Sequence, residues 1–203
     1  TARNRVEDVR FLIDQVELGA LAADLADIEQ LAVMGHSFGG FTALAVAGGF
    51  GPIPGDERVD AIVPMAPASS LLSDEELAAI DVPMLLVTGS ADETTPVDPE
   101  STRPLDLAAG EARLVEIDGG SHAVVTNICD ISDAVENATI ALPASAAEGV
   151  AELAGGTCEP TAPVSVEEAF DITESHVVSF LRFHLHGDDR YESVADIDKA
   201  TVR

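Results

Sequence analysis

One glycine-rich hexapeptide, GHSFGG at residues 35–40, constrains the fold of this chain more than any other feature. It follows an apolar run at residues 31–34 and precedes a helix-forming stretch at residues 41–47. A G-x-S-x-G pattern between a strand and a helix is typical of a nucleophile elbow, a tight turn that projects a serine hydroxyl into a cleft. We therefore predict that Ser37 lies at such a turn with a strained backbone.

The tight turn constrains the residues on either side of the serine. Gly35 and Gly39 are predicted to be glycine because a Cβ at either position would strike neighbouring backbone. The N–H of Phe38 is predicted to begin the helix, where it can stabilise an oxyanion. Phe38 is therefore a candidate oxyanion-hole residue.

Two later apolar runs end in loops that carry an acid and a histidine. Residues 83–88 predict a buried strand followed by Asp92, and residues 113–117 predict the next strand, followed by His122. Because ligands bind at the carboxyl ends of parallel strands, Ser37 is expected to meet both side chains at one edge of a sheet. The chain order serine, aspartate, histidine is that of the α/β-hydrolase fold.

Both partners of the serine have competitors. Asp92 competes with Glu93 and Asp98 and is preferred because it lies nearest the end of its strand. His122 competes with the other histidines of the chain, which are His36, His176, His184 and His186.

Structural roles are expected for these other histidines. His36 is predicted to pack and hydrogen-bond beneath the elbow, and His176 to lie at the surface or partly buried on the last helix. His184 and His186 are two residues apart, so they point away from each other on a helix and make a poor metal pair. No metal site is predicted.

On these motifs the chain resembles serine ester hydrolases of the α/β-hydrolase superfamily. The nearest branches are the dienelactone-hydrolase-like, platelet-activating-factor-acetylhydrolase-like and cutinase or polyester-hydrolase ones. The matching pieces are residues 35–40, 83–92, 119–122 and the tail at 180–191. The resemblance implies an α/β-hydrolase fold with a shortened, mostly parallel sheet flanked by helices.

The resemblance also implies a reaction. His122 would take the proton of Ser37 as that serine attacks an ester carbonyl, and Asp92 would orient the imidazole. Water would then release the acid from the acyl-enzyme, and no cofactor is expected. A catalytically weak or inactive binding protein, a lactonase and an acyltransferase are the alternative functions.

The segment before the elbow departs from the family. Residues 5–17 predict a helix and residues 20–25 a further helical piece, whereas the family takes a second oxyanion donor from a loop after an earlier strand. The chain is expected to be either a processed or partial sequence or a naturally short hydrolase. The strand at 31–34 would then be a sheet edge, which we expect a homo-oligomer or a rearranged N-terminal segment to cover.

The charge of the chain excludes some partners. With 37 acidic and 10 basic residues the net charge is −27, and Lys199 is the only lysine. Such a surface repels nucleic acid and anionic membranes. Two explanations are open, a salt-adapted protein and an acidic secreted enzyme. No apolar run is long enough to predict a membrane span.

The two cysteines, Cys129 and Cys158, lie after His122. A disulfide between them would suit a secreted or periplasmic enzyme, and two free buried thiols are the alternative. Residues 1–203 are predicted to form a single domain. Residues 128–163 are predicted to be an insertion or a lid-like loop within it.

Substrate contacts are predicted beside the elbow. Phe41, Met65 and Ala66 are expected to line an apolar acyl pocket. Short-chain or aromatic esters, or a polyester chain, fit such a pocket.

Further elements follow from local patterns. Strands are predicted at residues 30–34 and 59–65, and helices at 38–48, 104–109, 144–153 and 166–185. Ser73 and Glu76 form a capping-box pattern before a short helix. The core candidates of the last helix are Phe170, Val177, Phe180, Leu181 and Leu185.

Overall fold

The computed structural model describes residues 1–21, 25–26, 28–193 and 197–203. Its centre is a sheet in which the strands of the described residues lie in chain order. The strands are β1 (Ala32–His36), β2 (Ala61–Met65), β3 (Met84–Gly89), β4 (Ala112–Ile117) and β5 (Ala200–Val202). The first four pair in parallel and β5 pairs antiparallel with β4.

Helices connect the strands. Those of the described residues are α1 (Ala2–Glu17), α2 (Phe38–Gly48), α3 (Asp74–Ala78), α4 (Val97–Glu100), α5 (Thr102–Leu107), α6 (Ile128–Glu136), α7 (Ala144–Ala154) and α8 (Val166–His186). The predicted helix at 38–48 has its expected bounds, and α7 and α8 are each one residue longer than predicted. Half of the helical piece predicted at 20–25, residues 22–24, lies outside the described residues.

The sheet is covered by helices on both faces, because its apolar strands alternate their side chains between two cores. In β3, Met84 and Leu86 pack with α1, α2 and α3, whereas Leu85 and Val87 pack with α8. Burial on both faces accounts for the nearly continuous apolar runs that predicted the strands. The mostly parallel α/β architecture flanked by helices confirms the predicted fold class.

Local sequence patterns predicted the start of one helix but not the edge strand β5. The capping box of Ser73 and Glu76 is present at the start of α3, as predicted, and α8 begins with an equivalent box of Ser165 and Glu168. The three-residue strand β5 was not predicted, because it is too short to carry an alternating pattern.

The strand that leads to the elbow lies at the edge of the sheet. Among the described strands, β1 pairs only with β2, and its Met34 is 50% exposed. This places an unpaired strand edge where the sequence predicted one. The homo-oligomer across it stays a prediction.

Two predictions for α8 are wrong. Phe170, expected in the core, is 41% exposed, and His176, expected at the surface or partly buried, is only 6% exposed. The helix turns its Ala169–Thr173–His176–Phe180 face to the sheet, and Phe170 lies outside that face. Burial disfavours the charged imidazole, so the pKa of His176 lies below its usual value, as does that of the partly buried His184.

Acidification is expected to destabilise the protein through these histidines. A histidine whose pKa is lowered by folding binds a proton more readily in the unfolded chain, so stability is lost as the pH falls below about 6.5. Each such group contributes at most about 1.4 kcal/mol per pH unit there. Urea unfolding at pH 7.5 and pH 5.5 measures the effect. His176→Leu should reduce the difference between the two pH values and the exposed-site control His186→Leu should not; an unchanged difference in His176→Leu would contradict the expectation.

None of the helices in the described part of the chain is both long and apolar enough to span a membrane.

Candidate active site

Ser37 lies at the turn between β1 and α2. Its φ of 58° and ψ of −117° place a non-glycine residue at a positive φ, which costs about 1–3 kcal/mol. The Ser37 N–H donates to the carbonyl of Met65 at 2.8 Å, which helps to hold this backbone. The side chain does not cap α2, so its hydroxyl is available to another partner.

One of the two glycines predicted for steric reasons is required and the other is not. A Cβ on Gly35 would lie 2.7 Å from the carbonyl carbon and oxygen of Gly39, so only glycine fits. A Cβ on Gly39 would meet nothing within 4 Å, and the prediction for that residue is wrong. The crowded glycine on the helix side is Gly40, whose Cβ would lie 2.9 Å from Pro67. The turn is therefore closely packed at Gly35 and, against the segment after β2, at Gly40, whereas a side chain at Gly39 would extend into open space.

The loops after β3 and β4 are bound to each other. A Cβ on Gly89 would lie 2.1 Å from the carbonyl oxygen of Gly120, so the two loops touch through backbone. The N–H of Ala91 donates to that same carbonyl at 2.9 Å, and the N–H of Gly119 donates to the Ser90 hydroxyl at 2.7 Å. The acid loop and the histidine loop therefore hold each other in register.

These loops bring Ser37, His122 and Asp92 into one chain of hydrogen bonds. Ser37 Oγ lies 2.9 Å from His122 Nε2, and His122 Nδ1 lies 2.8 Å from Asp92 Oδ2. Because a carboxylate only accepts, Nδ1 carries the ring proton and Nε2 is left to accept from the serine. His122 and Asp92 are buried, at 7% and 4% exposure. The competitors Glu93 and Asp98 are exposed.

Asp92 is held ionised by its neighbours. Burial opposes the charge, but hydrogen bonds from His122 and Thr95 outweigh it, so the pKa of Asp92 lies below its usual value. Its Oδ1 accepts from the backbone N–H groups of Thr94 and Thr95, both at 2.8 Å. A fixed anion beside Nδ1 stabilises the imidazolium that forms if Nε2 takes a proton.

His36 supports the histidine loop from beneath the elbow, as predicted. Its Nε2 lies 2.7 Å from the carbonyl oxygen of His122 and therefore donates to it, and the two rings lie 4.7 Å apart. Burial lowers the pKa of His36, which keeps the ring neutral at pH 7. His36 thus fixes the backbone that presents His122.

The residues predicted to form the oxyanion hole and the acyl pocket lie in different environments. Phe38 supplies the first amide of α2, a position without an intrahelical acceptor, and its ring stacks on Phe41 at 5.2 Å. Phe41 is fully buried in the core against Phe50, so it does not line an open pocket as predicted. Met65 is partly exposed at the end of β2, whereas Ala66 is 1% exposed. Of the three residues predicted to line the acyl pocket, Met65 is therefore the one that is not buried.

The segment after His122 is tied back to the site. A disulfide joins Cys129, in α6, to Cys158, just after α7. Thr157 hydrogen-bonds through its hydroxyl to that of Ser121, the residue before His122. Residues 128–163, predicted to be an insertion or a lid-like loop, contain α6 and α7; α7 was predicted, and the sequence missed α6.

A cleft opens between this segment and the acid loop. Its volume is about 680 Å³, and it is lined by His122, by Glu93 and Thr94 of the acid loop and by Glu152 and Leu153 of α7. The described residues hold no cluster of three or more histidine, cysteine, aspartate or glutamate side chains that could bind a metal ion.

Thr95 is a residue of the site that the sequence analysis did not single out. It follows Asp92 by three positions, and its N–H donates to that carboxylate. Aspartate side chains commonly accept from backbone two or three residues further on, so the run DETT carried a signal for this turn.

Fold and family together define the class of this protein as a serine ester hydrolase of the α/β-hydrolase superfamily, which confirms the predicted superfamily. The chain belongs to the PET hydrolase-like family, whose model matches residues 5–141, more than half of the sequence. Ser37, Asp92 and His122 lie inside the matched range, whereas α7 and α8 lie outside it. None of the curated proteins compared with the chain matches it.

Proposed function

We propose that the protein hydrolyses carboxylic esters through an acyl-enzyme on Ser37. The observation that carries this proposal is the continuous hydrogen-bond chain from Ser37 Oγ through His122 to Asp92, with distances of 2.9 and 2.8 Å. Membership of the PET hydrolase-like family supports the same reaction.

In the first half of the reaction, His122 Nε2 accepts the hydroxyl proton as Ser37 Oγ bonds to the ester carbonyl carbon. The tetrahedral intermediate collapses, the bond to the alcohol oxygen breaks, and the imidazolium gives its proton to that leaving oxygen. In the second half a water molecule repeats these steps on the acyl-enzyme, which releases the carboxylic acid and restores the serine.

The N–H of Phe38 is proposed as one oxyanion donor. It lies at the start of an eleven-residue helix directly after the serine, so both its hydrogen and the helix dipole favour a developing negative charge there. Losing one such donor typically costs about 100- to 1,000-fold in kcat.

Neutral esters of short-chain or aromatic acids, including polyesters, are the proposed substrates. The cleft beside His122 is open and large enough for part of a chain, and Met65 offers an apolar contact at the end of β2. Because the chain carries a net charge of −27, neutral substrates meet less repulsion than anionic ones. The family description points to polyesters among these.

A secreted or periplasmic location is proposed on one chemical ground. The Cys129–Cys158 disulfide persists in oxidising compartments and is rare in reducing ones. The PET hydrolase-like family supports this location.

Covalent trapping tests the proposed nucleophile. A fluorophosphonate should phosphonylate Ser37 with loss of fluoride, and peptide mass spectrometry should place the adduct on that serine alone. Ser101→Ala, which alters another buried serine, should label normally, whereas Ser37→Ala should not label. The same preparations are then assayed on p-nitrophenyl acetate, p-nitrophenyl butyrate and a polyester film. Absence of both labelling and hydrolysis would overturn the proposal, and ester formation with an added alcohol would assign acyl transfer instead.

A further inference from the structure

We infer that Thr95 is a positioning residue of this site: its hydroxyl fixes the Asp92 carboxylate in the orientation that His122 requires. The inference rests on the proposed function only for its kinetic consequences. The geometry behind it stands without them.

The Thr95 hydroxyl lies at the junction of three groups. It is 2.9 Å from Asp92 Oδ2, 3.0 Å from the carbonyl oxygen of Ala66 and 3.1 Å from His122 Nδ1. Thr95 is only 6% exposed, so water competes little for these contacts. No other polar side chain described at this site contacts both Asp92 and His122.

The hydroxyl completes the hydrogen bonding of the carboxylate. An ionised carboxylate offers about four lone-pair sites. Two backbone donors occupy Oδ1, and His122 Nδ1 and the Thr95 hydroxyl occupy Oδ2. With all four sites filled, rotation of the carboxylate away from His122 breaks several charge-assisted hydrogen bonds at once. Without the hydroxyl, Oδ2 is held by the imidazole alone.

The same hydroxyl also lies within 3.0 Å of the segment that follows β2. Ala66, whose carbonyl lies near the Thr95 hydroxyl, has a positive φ of 42° and donates its N–H to the carbonyl of Val87. The preceding residue, Met65, accepts the N–H of Ser37. Thr95 therefore contacts the strained segment on which the elbow rests as well as the acid.

The hydroxyl has one proton, and the anion is its strongest acceptor. Donation to Asp92 Oδ2 is favoured because hydrogen bonds to charged groups are roughly twice as strong as neutral ones. The titratable groups around this point are His122, from the loop after β4, and His36, from β1, whose imidazole interacts electrostatically with both His122 and Asp92. Removing the donor leaves more negative charge for a proton to neutralise, so the Asp92–His122 pair is expected to bind a proton more readily.

Three substitutions of Thr95 test whether its hydroxyl positions Asp92. Thr95→Ser keeps the hydroxyl and Thr95→Ala removes it, while Thr95→Val removes it and keeps the volume. With p-nitrophenyl butyrate, Thr95→Val and Thr95→Ala are expected to lower kcat about tenfold, which is the cost of losing one hydrogen bond to a charged group. Their KM should change by less than about twofold. The acid limb of their kcat/KM profiles should move to higher pH. Thr95→Ser should stay within about twofold of the parent protein, and so should Thr173→Val, which removes a buried hydroxyl on α8 that has no partner.

Proton NMR supplies a readout that does not require activity. The downfield resonance of the His122 Nδ1 proton should shift in Thr95→Val and Thr95→Ala and stay in place in Thr95→Ser and Thr173→Val. If Ser37-dependent hydrolysis is absent, the proposed function fails, and the resonance still decides the role of Thr95. Equal losses in Thr95→Ser and Thr95→Ala, or an unmoved resonance in Thr95→Ala, would overturn the inference.

Discussion

Ser37→Ala is expected to lower kcat for p-nitrophenyl butyrate by a factor on the order of 10⁴ or more, because removing the nucleophile leaves only binding and oxyanion stabilisation. The fold should survive the change, since alanine accepts the same backbone as serine at this turn and the hydroxyl caps no helix. Initial rates over a range of substrate concentrations, with a thermal melt of each preparation, measure both effects.

The matched control for this experiment is Ser101→Ala, which removes a buried serine hydroxyl without a partner. It should leave kcat and KM unchanged. His122→Ala should lose nearly as much activity as Ser37→Ala, and the double variant should lose little more, because the residues act as one unit. A Ser37→Ala protein that melts normally and retains parental activity would remove Ser37 from the reaction.

Loss of the Cys129–Cys158 disulfide is expected to give the largest change in stability. The bond spans 29 residues, and closing a loop of this length restricts the unfolded chain by about 3 to 4 kcal/mol in the chain-entropy model. For a chain of this size the melting temperature should fall by roughly 10 °C. The double variant Cys129→Ser and Cys158→Ser, melted beside the parent protein with and without a thiol reductant, measures it.

Activity should also fall in the disulfide variant, by less than in Ser37→Ala. Thr157 precedes Cys158 and hydrogen-bonds to Ser121, so release of the bridge loosens the loop that presents His122. The reductant should shift the parent protein to the melting temperature of the double variant and leave the variant unchanged. A parent protein that melts identically with and without reductant, when its thiols titrate as reduced, would contradict the expected contribution.

The four parallel strands, the elbow and the chain order of its partners were predictable because each depends on local chemistry. The runs that became β2 and β3 are apolar on both faces, a composition that strands between two helical layers require. Gly35 follows from the tight turn itself, where any Cβ meets backbone four residues later. Asp92 and His122 could be chosen because each follows the end of a parallel strand.

The wrong predictions concern residues whose environment comes from distant parts of the chain. Phe41 flanks the elbow in sequence, but the packing of Phe38 and Phe50 seals it in the core. His176 is buried because the face of α8 that carries it turns toward the sheet, which its helical spacing alone did not reveal. Gly39 looked as constrained as Gly35, yet the space beside it is open.

By itself the sequence determined the four parallel strands, the position of Ser37 at a strand–helix turn and the loops that carry its partners, because steric limits and apolar periodicity act between near neighbours. Only the tertiary structure decided which faces are buried, where Cys158 and Thr157 return to the histidine loop, and that one threonine hydroxyl meets Asp92, Ala66 and His122 together. These contacts join segments up to several tens of residues apart, and their geometry is set by packing that no local pattern contains.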